Sequence, residues 1–571
     1  MRIKVFRILL AGLFIFLALF LFHLQALNGR KYAQLSDSNR VRIIPQQGSR
    51  GSILDRNGEV IVGNHLSYNV SIIPRQVRNS DETLRKLSGY LGMPFEKLKV
   101  SYFRGKGPSF LPVTVARDID KRKAILIEEA KASLPGAIIE QVPERFYPNN
   151  KLACHLLGYL SEIDHWRLTK LKDYGYKTKD VVGYSGIEER YDYYLRQEEG
   201  GLQVEIDYRG NITRILGLRS PKNGKDVQLT IDLNIQKVIE ECLGERRGAV
   251  VVLDPYSGEV LGMASAPGFD PGSFLSKAAS RDKVFTDPKA PLLNRAISAT
   301  YPLGSVFKVV IASGALEADK IEASSTYHCS GSVMIGRREY NCAHVHGDQN
   351  VKQALAHSCN VFFYKAGILL GPEKIYEWAN KFGLGKPTQI DLPSENSGYV
   401  PNPFWRRLNK LKGSWFDGDT ANLAIGQGEL LVSPIQAAVL MAAIANSGVL
   451  VKPYLISSVD GKDISRYQRK TSTVAIHEST MRLIRKGLKG AVEDSGGTAN
   501  VIASTGVAAA GKTGTAQTQA GKPAHAWFAG FFPYEDPKYT ICVFLEYGGS
   551  SVIACQVTRD IIEGMKVKGL L

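Results

Sequence analysis

Residues 8–22 read ILLAGLFIFLALFLF, fifteen apolar positions without interruption, and no other feature restricts this 571-residue chain as strongly. Leu24, Ala26 and Leu27 extend the apolar character past His23 and Gln25, so residues 8–27 make a stretch of twenty. At 1.5 Å per residue such a helix crosses the hydrocarbon core of a bilayer. A cleaved signal is the competing reading, since fifteen residues is the upper edge of a signal's apolar region. Leu27-Asn28-Gly29 offers no small-x-small cleavage site, which favours an uncleaved anchor. Arg2, Lys4 and Arg7 precede the run, so the positive-inside rule predicts a cytoplasmic tail at 1–7, an anchor at 8–27 and the remainder exported. No later stretch approaches eighteen apolar residues. The expectation is a single-pass protein of the plasma (inner) membrane with a periplasmic body.

The body is long enough for two to four domains at roughly 150 residues each. A hydrophobic fraction of 44% excludes a disordered or collagen-like chain. Lys+Arg 72 against Asp+Glu 55 gives +17, which suits a polyanionic neighbour (nucleic acid, anionic lipid or an acidic polymer) without choosing among them. Seven cysteines over this length are too few for a disulfide scaffold.

Residues 28–224 are strongly charged, with a short apolar strand pattern at 68–73 and a helical pattern at 124–132. The turn-rich segment Ser220-Pro221-Lys222-Asn223-Gly224-Lys225 marks a boundary, predicting domains at 28–224 and 225–571. Beyond it, residues 249–253 and 259–261 read as two apolar strands around a Pro/Gly turn, and 526–531 and 539–544 as two more. The sequence between these pairs is mostly helical. Ser433-Pro434-Ile435-Gln436 is a start signal, with Ser at the N-cap, Pro at the first helical position and Gln where a capping box needs it. Strands at both ends with helices between predict an α/β arrangement, an antiparallel sheet covered by helices.

Three elements carry chemistry. Ser305-Val306-Phe307-Lys308 opens an apolar helical run, which places Lys308 on the face of Ser305 within reach of its hydroxyl. A hydroxyl is a weak nucleophile, and a lysine becomes a usable base when burial or nearby positive charge lowers its pKa. The same spacing recurs at Ser280-Arg281-Asp282-Lys283 in a charged, loop-like stretch, so the pattern alone says little. Ser358-Cys359-Asn360 is the second element, between a helical segment at 351–356 and Val361-Phe362-Phe363-Tyr364. The third, Gly511-Lys512-Thr513-Gly514-Thr515-Ala516, is a small-residue strand along which a substrate backbone can lie. The order Ser-x-x-Lys, Ser-x-Asn, Lys-Thr-Gly resembles the penicillin-recognising serine acyltransferases.

The likeness extends to class B penicillin-binding proteins, membrane-anchored peptidoglycan DD-transpeptidases, and covers nearly the whole chain. Arg50-Gly51-Ser52-Ile53-Leu54-Asp55-Arg56-Asn57-Gly58, Gly186-Ile187-Glu188 with Tyr191 and Leu195, and Ala424-Ile425-Gly426-Gln427-Gly428 are similar to signatures of that class. His525-Ala526-Trp527-Phe528 and His155-Leu156-Leu157-Gly158-Tyr159 resemble its elongation-type members more than the division type or a sporulation relative. The resemblance implies a transpeptidase fold behind one transmembrane helix and an extended α+β pedestal of the dimerisation type. It implies Ser305 as nucleophile, Lys308 as base, Ser358 as proton relay and Asn360 as a ligand of the substrate amide. Lys512, Thr513 and Thr515 would bind the terminal carboxylate with Gly514 between them, and the N–H groups of Ser305 and Thr515 would form the oxyanion hole. The implied partners are peptidoglycan stem peptides, a polytopic glycosyltransferase of the elongation machinery, an elongation scaffold, β-lactam antibiotics and the membrane, with no nucleic acid. The chemistry needs no cofactor. Alternatives are a β-lactamase or DD-carboxypeptidase, with water as acceptor, and a non-catalytic β-lactam sensor.

Cys329, Cys342, His344, His346 and Cys359 form a separate cluster. Cys329, Cys342, His346 and Cys359 match the donor types of a tetrahedral structural zinc site, although their spacing departs from a zinc finger. The resemblance adds that some elongation-type relatives carry a metal at this place, just before the Ser-x-Asn loop. A Cys329 to Cys342 disulfide and free buried thiols are the other readings.

Overall fold

The computed structural model describes residues 2–30, 41–105, 111–206, 212–276, 278–408, 413–518 and 521–571. Residues 3–27 form one helical stretch long and apolar enough to cross a membrane, beginning with α1 (Arg2–Phe22). The chain divides into two compact units, one of residues 1–51, 64–146 and 196–224, the other of residues 52–63, 147–195 and 225–571. One division between the units falls after Gly224. Within the stretch expected as the N-terminal domain, residues 52–63 and 147–195 belong to the second unit.

In the first unit, strands Val41–Gln46, Gly200–Ile206 and Ile212–Arg219 pair as an antiparallel three-stranded sheet. Helices Ser80–Leu91, Phe95–Gly105 and Lys121–Glu129 close a second core over strands Val113–Ile119 and Ala137–Phe146, burying Val70, Leu84, Leu87, Leu98, Val115 and Ile127. The predicted helix at 124–132 is the third of these. It starts at Asp120, whose carboxylate accepts the Arg122 N–H.

The second unit is built on a five-stranded sheet of β1 (Gly248–Leu253), β2 (Val260–Ala266), β3 (Ala510–Ala516), β4 (His525–Phe532) and β5 (Tyr539–Leu545). Its order is β2-β1-β5-β4-β3, antiparallel throughout, so the first and last strands in sequence meet at its centre, where Val251 pairs with Cys542. Alternate residues of β1 serve different cores. Val250 and Val252 join Ile235, Ile239, Ile561 and Ile562 of α2 (Leu233–Leu243) and a C-terminal helix, Ser551–Val567. Ala249, Val251 and Leu253 face the larger cluster, with Leu440 and Ile444. Burial on both faces explains the unbroken apolar reading of these strands.

The helices between the sheet's sequence ends include α3 (Lys308–Glu317), α4 (Val351–Ala356), α5 (Asn360–Leu370), α6 (Pro434–Ala445) and α7 (Glu478–Glu493); the C-terminal helix is α8. Every residue of α6 is buried, and Ser433 and Gln436 close its start as the predicted capping box. The loop expected around Ser280 is instead a short helix, Ala278–Thr286, begun by two alanines.

Candidate active site

A tight turn, Gly304–Phe307, leads directly into α3 and carries Ser305, so the serine lies one turn ahead of the regular α-helix. Hydrogen bonds from three directions fix this turn. Tyr301 and Val432 exchange backbone bonds at 2.9 Å, and Gly304 N–H donates to Gly426 O at 2.9 Å. The indole Nε1 of Trp527, on β4, donates to Pro302 O at 3.0 Å. Gly304 takes a positive φ of 60°, and a Cβ there would lie 2.8 Å from Thr515 O, so the turn sits directly on β3. Gly514 faces the same turn, since a Cβ on it would lie 2.8 Å from Leu303 O. These contacts bring the backbone of Ser305 and Thr515 to one place.

Lys308 is completely buried at the start of α3. Its ammonium donates to Ser358 O at 2.7 Å, to Ser358 Oγ at 3.2 Å and to Asn360 Oδ1 at 2.7 Å. All three of its donors are thereby engaged. Burial lowers its pKa to about 8, against the opposing pull of Cys342 and Cys359. The half-buried Ser305 hydroxyl makes no hydrogen bond among the described residues. No hydrogen bond joins Ser305 Oγ to Lys308 Nζ among the described residues, and the ammonium is engaged by the Ser-x-Asn loop.

That loop carries local strain. Ser358 has φ 58°, a left-handed conformation that costs a non-glycine residue on the order of 1–2 kcal/mol. It turns the chain between α4 and α5 so that the Ser358 carbonyl, the Ser358 hydroxyl and the Asn360 carboxamide converge on one ammonium. Asn360 Nδ2 donates to Asn341 O at 3.2 Å, which ties the loop to a hairpin of Ser332–Ile335 and Arg338–Asn341.

Lys512 is also completely buried, on β3, with Nζ 3.4 Å from Thr513 O and 3.5 Å from Thr513 Oγ1. Burial, with the positive charge of Lys308 nearby, holds its pKa well below the ordinary lysine value. Thr515 is exposed, and β3 is an edge strand of the sheet, so no other strand of the sheet pairs along its outer side, the kind of edge to which an extended peptide can add. Gln427 Nε2 donates to Thr515 O at 3.3 Å. The structure thus gathers Ser305, Lys308, Ser358, Asn360, Lys512, Thr513, Gly514 and Thr515 around one cleft. Reading the sequence for motifs missed the supporting roles of Trp527, Asn341 and Gly304, because each acts through a backbone carbonyl or a missing Cβ rather than through a reactive side chain.

Beside the cleft, one donor atom from each of Cys329, Cys342, His346 and Cys359 lies within 4.8 Å of all the others, and His344 stands outside the set. His346 Nδ1 is 3.6 Å from Cys329 Sγ and 3.5 Å from Cys342 Sγ. None of the seven cysteines is disulfide-bonded. The Cys359 thiol and the Asn360 N–H, the latter at 3.1 Å, drive Cys342 toward the thiolate, while its neighbour pushes Cys359 the other way.

Residues 248–563 match the penicillin binding protein transpeptidase domain and residues 45–229 the penicillin-binding protein dimerisation domain. The chain is 31% identical over 572 aligned residues to the peptidoglycan D,D-transpeptidase MrdA of Escherichia coli K12, covering 95% of this chain and 90% of that one. Penicillin-binding protein PBP2 of Helicobacter pylori, solved in complex with MreC, superposes with a TM-score of 0.82 at 26% identity, covering 93% of this chain and 99% of that one. A chain solved in a study of how a peptidoglycan synthase complex coordinates polymerization and crosslinking superposes with a TM-score of 0.76 at 28% identity, covering 99% and 98%.

Proposed function

The chain belongs to the class B penicillin-binding protein transpeptidases and is a peptidoglycan D,D-transpeptidase of the elongation type, and from this premise we propose how its residues divide the work. Ser305 Oγ attacks the carbonyl of the penultimate D-Ala of a stem peptide, and Lys308 accepts the hydroxyl proton. The N–H groups of Ser305 and Thr515 hold the oxyanion, a preorganised pair kept in register by the packing of Gly304 on Thr515. Ser358, hydrogen-bonded to Lys308, relays the proton to the departing terminal D-Ala. Asn360 has a second Nδ2 hydrogen for the substrate amide after its bond to Asn341. Lys512, Thr513 and Thr515 bind the terminal carboxylate, which restores the charge that burial disfavours on Lys512. An amine of a neighbouring stem then attacks the acyl-enzyme, which releases Ser305 and forms the cross-link. A β-lactam enters the first half of this sequence and stays bound.

The observation that carries this reading is the convergence of Lys308 Nζ on Ser358 and Asn360, 2.7–3.2 Å away, beside the turn that presents Ser305. Unlinked peptidoglycan strands supplied to the enzyme with a polymerase should yield D-Ala and cross-links in equal amounts. D-Ala released without cross-links would identify a carboxypeptidase, and hydrolysed penicillin a β-lactamase.

Cys329, Cys342, His346 and Cys359 fit a structural zinc ion. Tetrahedral zinc with ordinary Zn–S and Zn–N bonds separates sulfur from nitrogen by about 3.6 Å, the spacing His346 keeps from both thiols. The Asn360 N–H to Cys342 bond is the outer support such a thiolate needs. Bound there, zinc would pin Cys359 and with it the strained Ser358, a structural contribution only. Residues 1–7 form the cytoplasmic tail, 8–27 the inner-membrane anchor, 28–224 the pedestal, of which 52–63 and 147–195 pack with the C-terminal unit, and 225–571 the periplasmic transpeptidase domain. The partners proposed are a polytopic glycosyltransferase and an elongation scaffold, as the relatives solved with MreC and in a peptidoglycan synthase complex support.

A further inference from the structure

One hydroxyl at the cleft has no role in the scheme above. Thr513 Oγ1 donates to Thr498 Oγ1 at 2.8 Å, and Thr498 belongs to the loop after α7 rather than to any of the three motifs. Backbone bonds hold that loop in place. Gly497 N–H donates to Asp494 O at 2.8 Å and Ala499 N–H to Ala491 O at 2.8 Å. Thr498 N–H reaches Ala356 O at 3.4 Å, two residues before Ser358, so Thr498 touches both the Ser-x-Asn side and the Lys-Thr-Gly side of the cleft.

A hydroxyl has one proton and two lone pairs. When two hydroxyls pair, one proton is used between them and one remains to donate outward. Thr513 is only 3% exposed, whereas Thr498 is half-buried, so the outward proton belongs to the threonine with the greater access to the cleft. Lys512 Nζ lies 3.5 Å from Thr513 Oγ1, so this proton is presented beside a potential positive charge. A carboxylate is the ligand such a site takes, because it accepts from both donors at once.

We propose that Thr498 completes the carboxylate subsite, accepting the Thr513 proton and donating its own to the terminal carboxylate of the stem peptide or of a β-lactam. Thr498 is then a substrate-binding residue, and the Thr513 hydroxyl serves the carboxylate through it, its own single proton being given to Thr498. This rests on the acyl-enzyme reading of Ser305.

The test follows acylation of the full-length solubilised protein by intact mass, using benzylpenicillin and its methyl ester. With Thr498→Val, the second-order acylation constant for the acid should fall about tenfold through weaker binding, while saturated acylation changes little. The ester, which lacks the carboxylate, should react with this variant as with wild type, and Thr498→Ser should restore reaction with the acid. A merely structural role would slow acid and ester alike, and that result would overturn the proposal, as would Thr498→Val reacting normally with the acid. No adduct on wild type would overturn the acyl-enzyme reading itself and this inference with it; an adduct on wild type with acid and ester equally affected overturns this inference alone.

Discussion

Adding a single methyl group at Gly304 tests whether the serine turn must sit directly on β3. In Gly304→Ala the new Cβ would lie 2.8 Å from Thr515 O, 3.1 Å from its carbonyl carbon and 3.2 Å from its nitrogen. Ordinary non-bonded contacts begin near about 3.5 Å, so turn and strand must part by roughly half an ångström. The positive φ of 60° adds strain of about 1–2 kcal/mol for an L-residue. The nitrogen displaced is the one proposed to donate to the oxyanion. Complete loss of such a donor costs about 10²–10³ in rate, so a partial displacement predicts acylation by penicillin slowed about 10- to 100-fold. Thermal unfolding should shift down by only a few degrees, in keeping with a local strain of this size. The assay is the rate of penicillin adduct formation at saturating drug, alongside the melting temperature of the same preparation. A variant that acylates at the wild-type rate would refute the packing argument. One that loses activity only in proportion to unfolded protein would refute the assignment of the loss to the oxyanion donors.

Acylation should also rise with pH. Lys308 accepts a proton only when neutral, and burial has lowered its pKa from the ordinary lysine value to about 8. The neutral fraction, and with it the rate, should therefore climb nearly tenfold per pH unit below about 8 and level off above it. A profile that is flat or falls from pH 6 to 9 contradicts Lys308 as the base. Removing metal with a strong chelator, or substituting Cys359→Ser, should slow acylation severalfold and lower the melting temperature, because Cys359 lies between Ser358 and Asn360. Elemental analysis should return one zinc per chain in the untreated protein, and a chelated enzyme of full activity and stability would refute the zinc reading.

Much of the sheet and of the helix starts was legible in advance because the physics is local. Strands such as β1 are apolar throughout because both faces are buried, and the Ser433 and Gln436 capping box lies within four residues. The packing of residues 52–63 and 147–195 with the C-terminal unit was not legible, since it depends on contacts between distant segments and leaves no periodic mark. At the site, side chains with reactive groups announced themselves and their supports did not. Ser358 adopts a left-handed conformation that Ser seldom takes, and only its surroundings explain it. Trp527 served as a mark of subtype in the sequence, whereas in the fold its indole N–H holds Pro302 three residues ahead of the nucleophile. Helical spacing placed Lys308 on the face of Ser305, but the three acceptors that hold its ammonium lie on a loop fifty residues on, which no local pattern announces.

The claim on which the rest depends is that Ser305 forms the covalent bond. Intact mass of the solubilised protein after incubation with a penicillin measures this directly, for wild type and Ser305→Ala together. The account predicts one stable adduct, of the mass of the intact drug, on wild type and none on Ser305→Ala, with equal melting temperatures for the two proteins. An undiminished adduct on Ser305→Ala would contradict it, and so would consumption of the drug by wild type without any adduct.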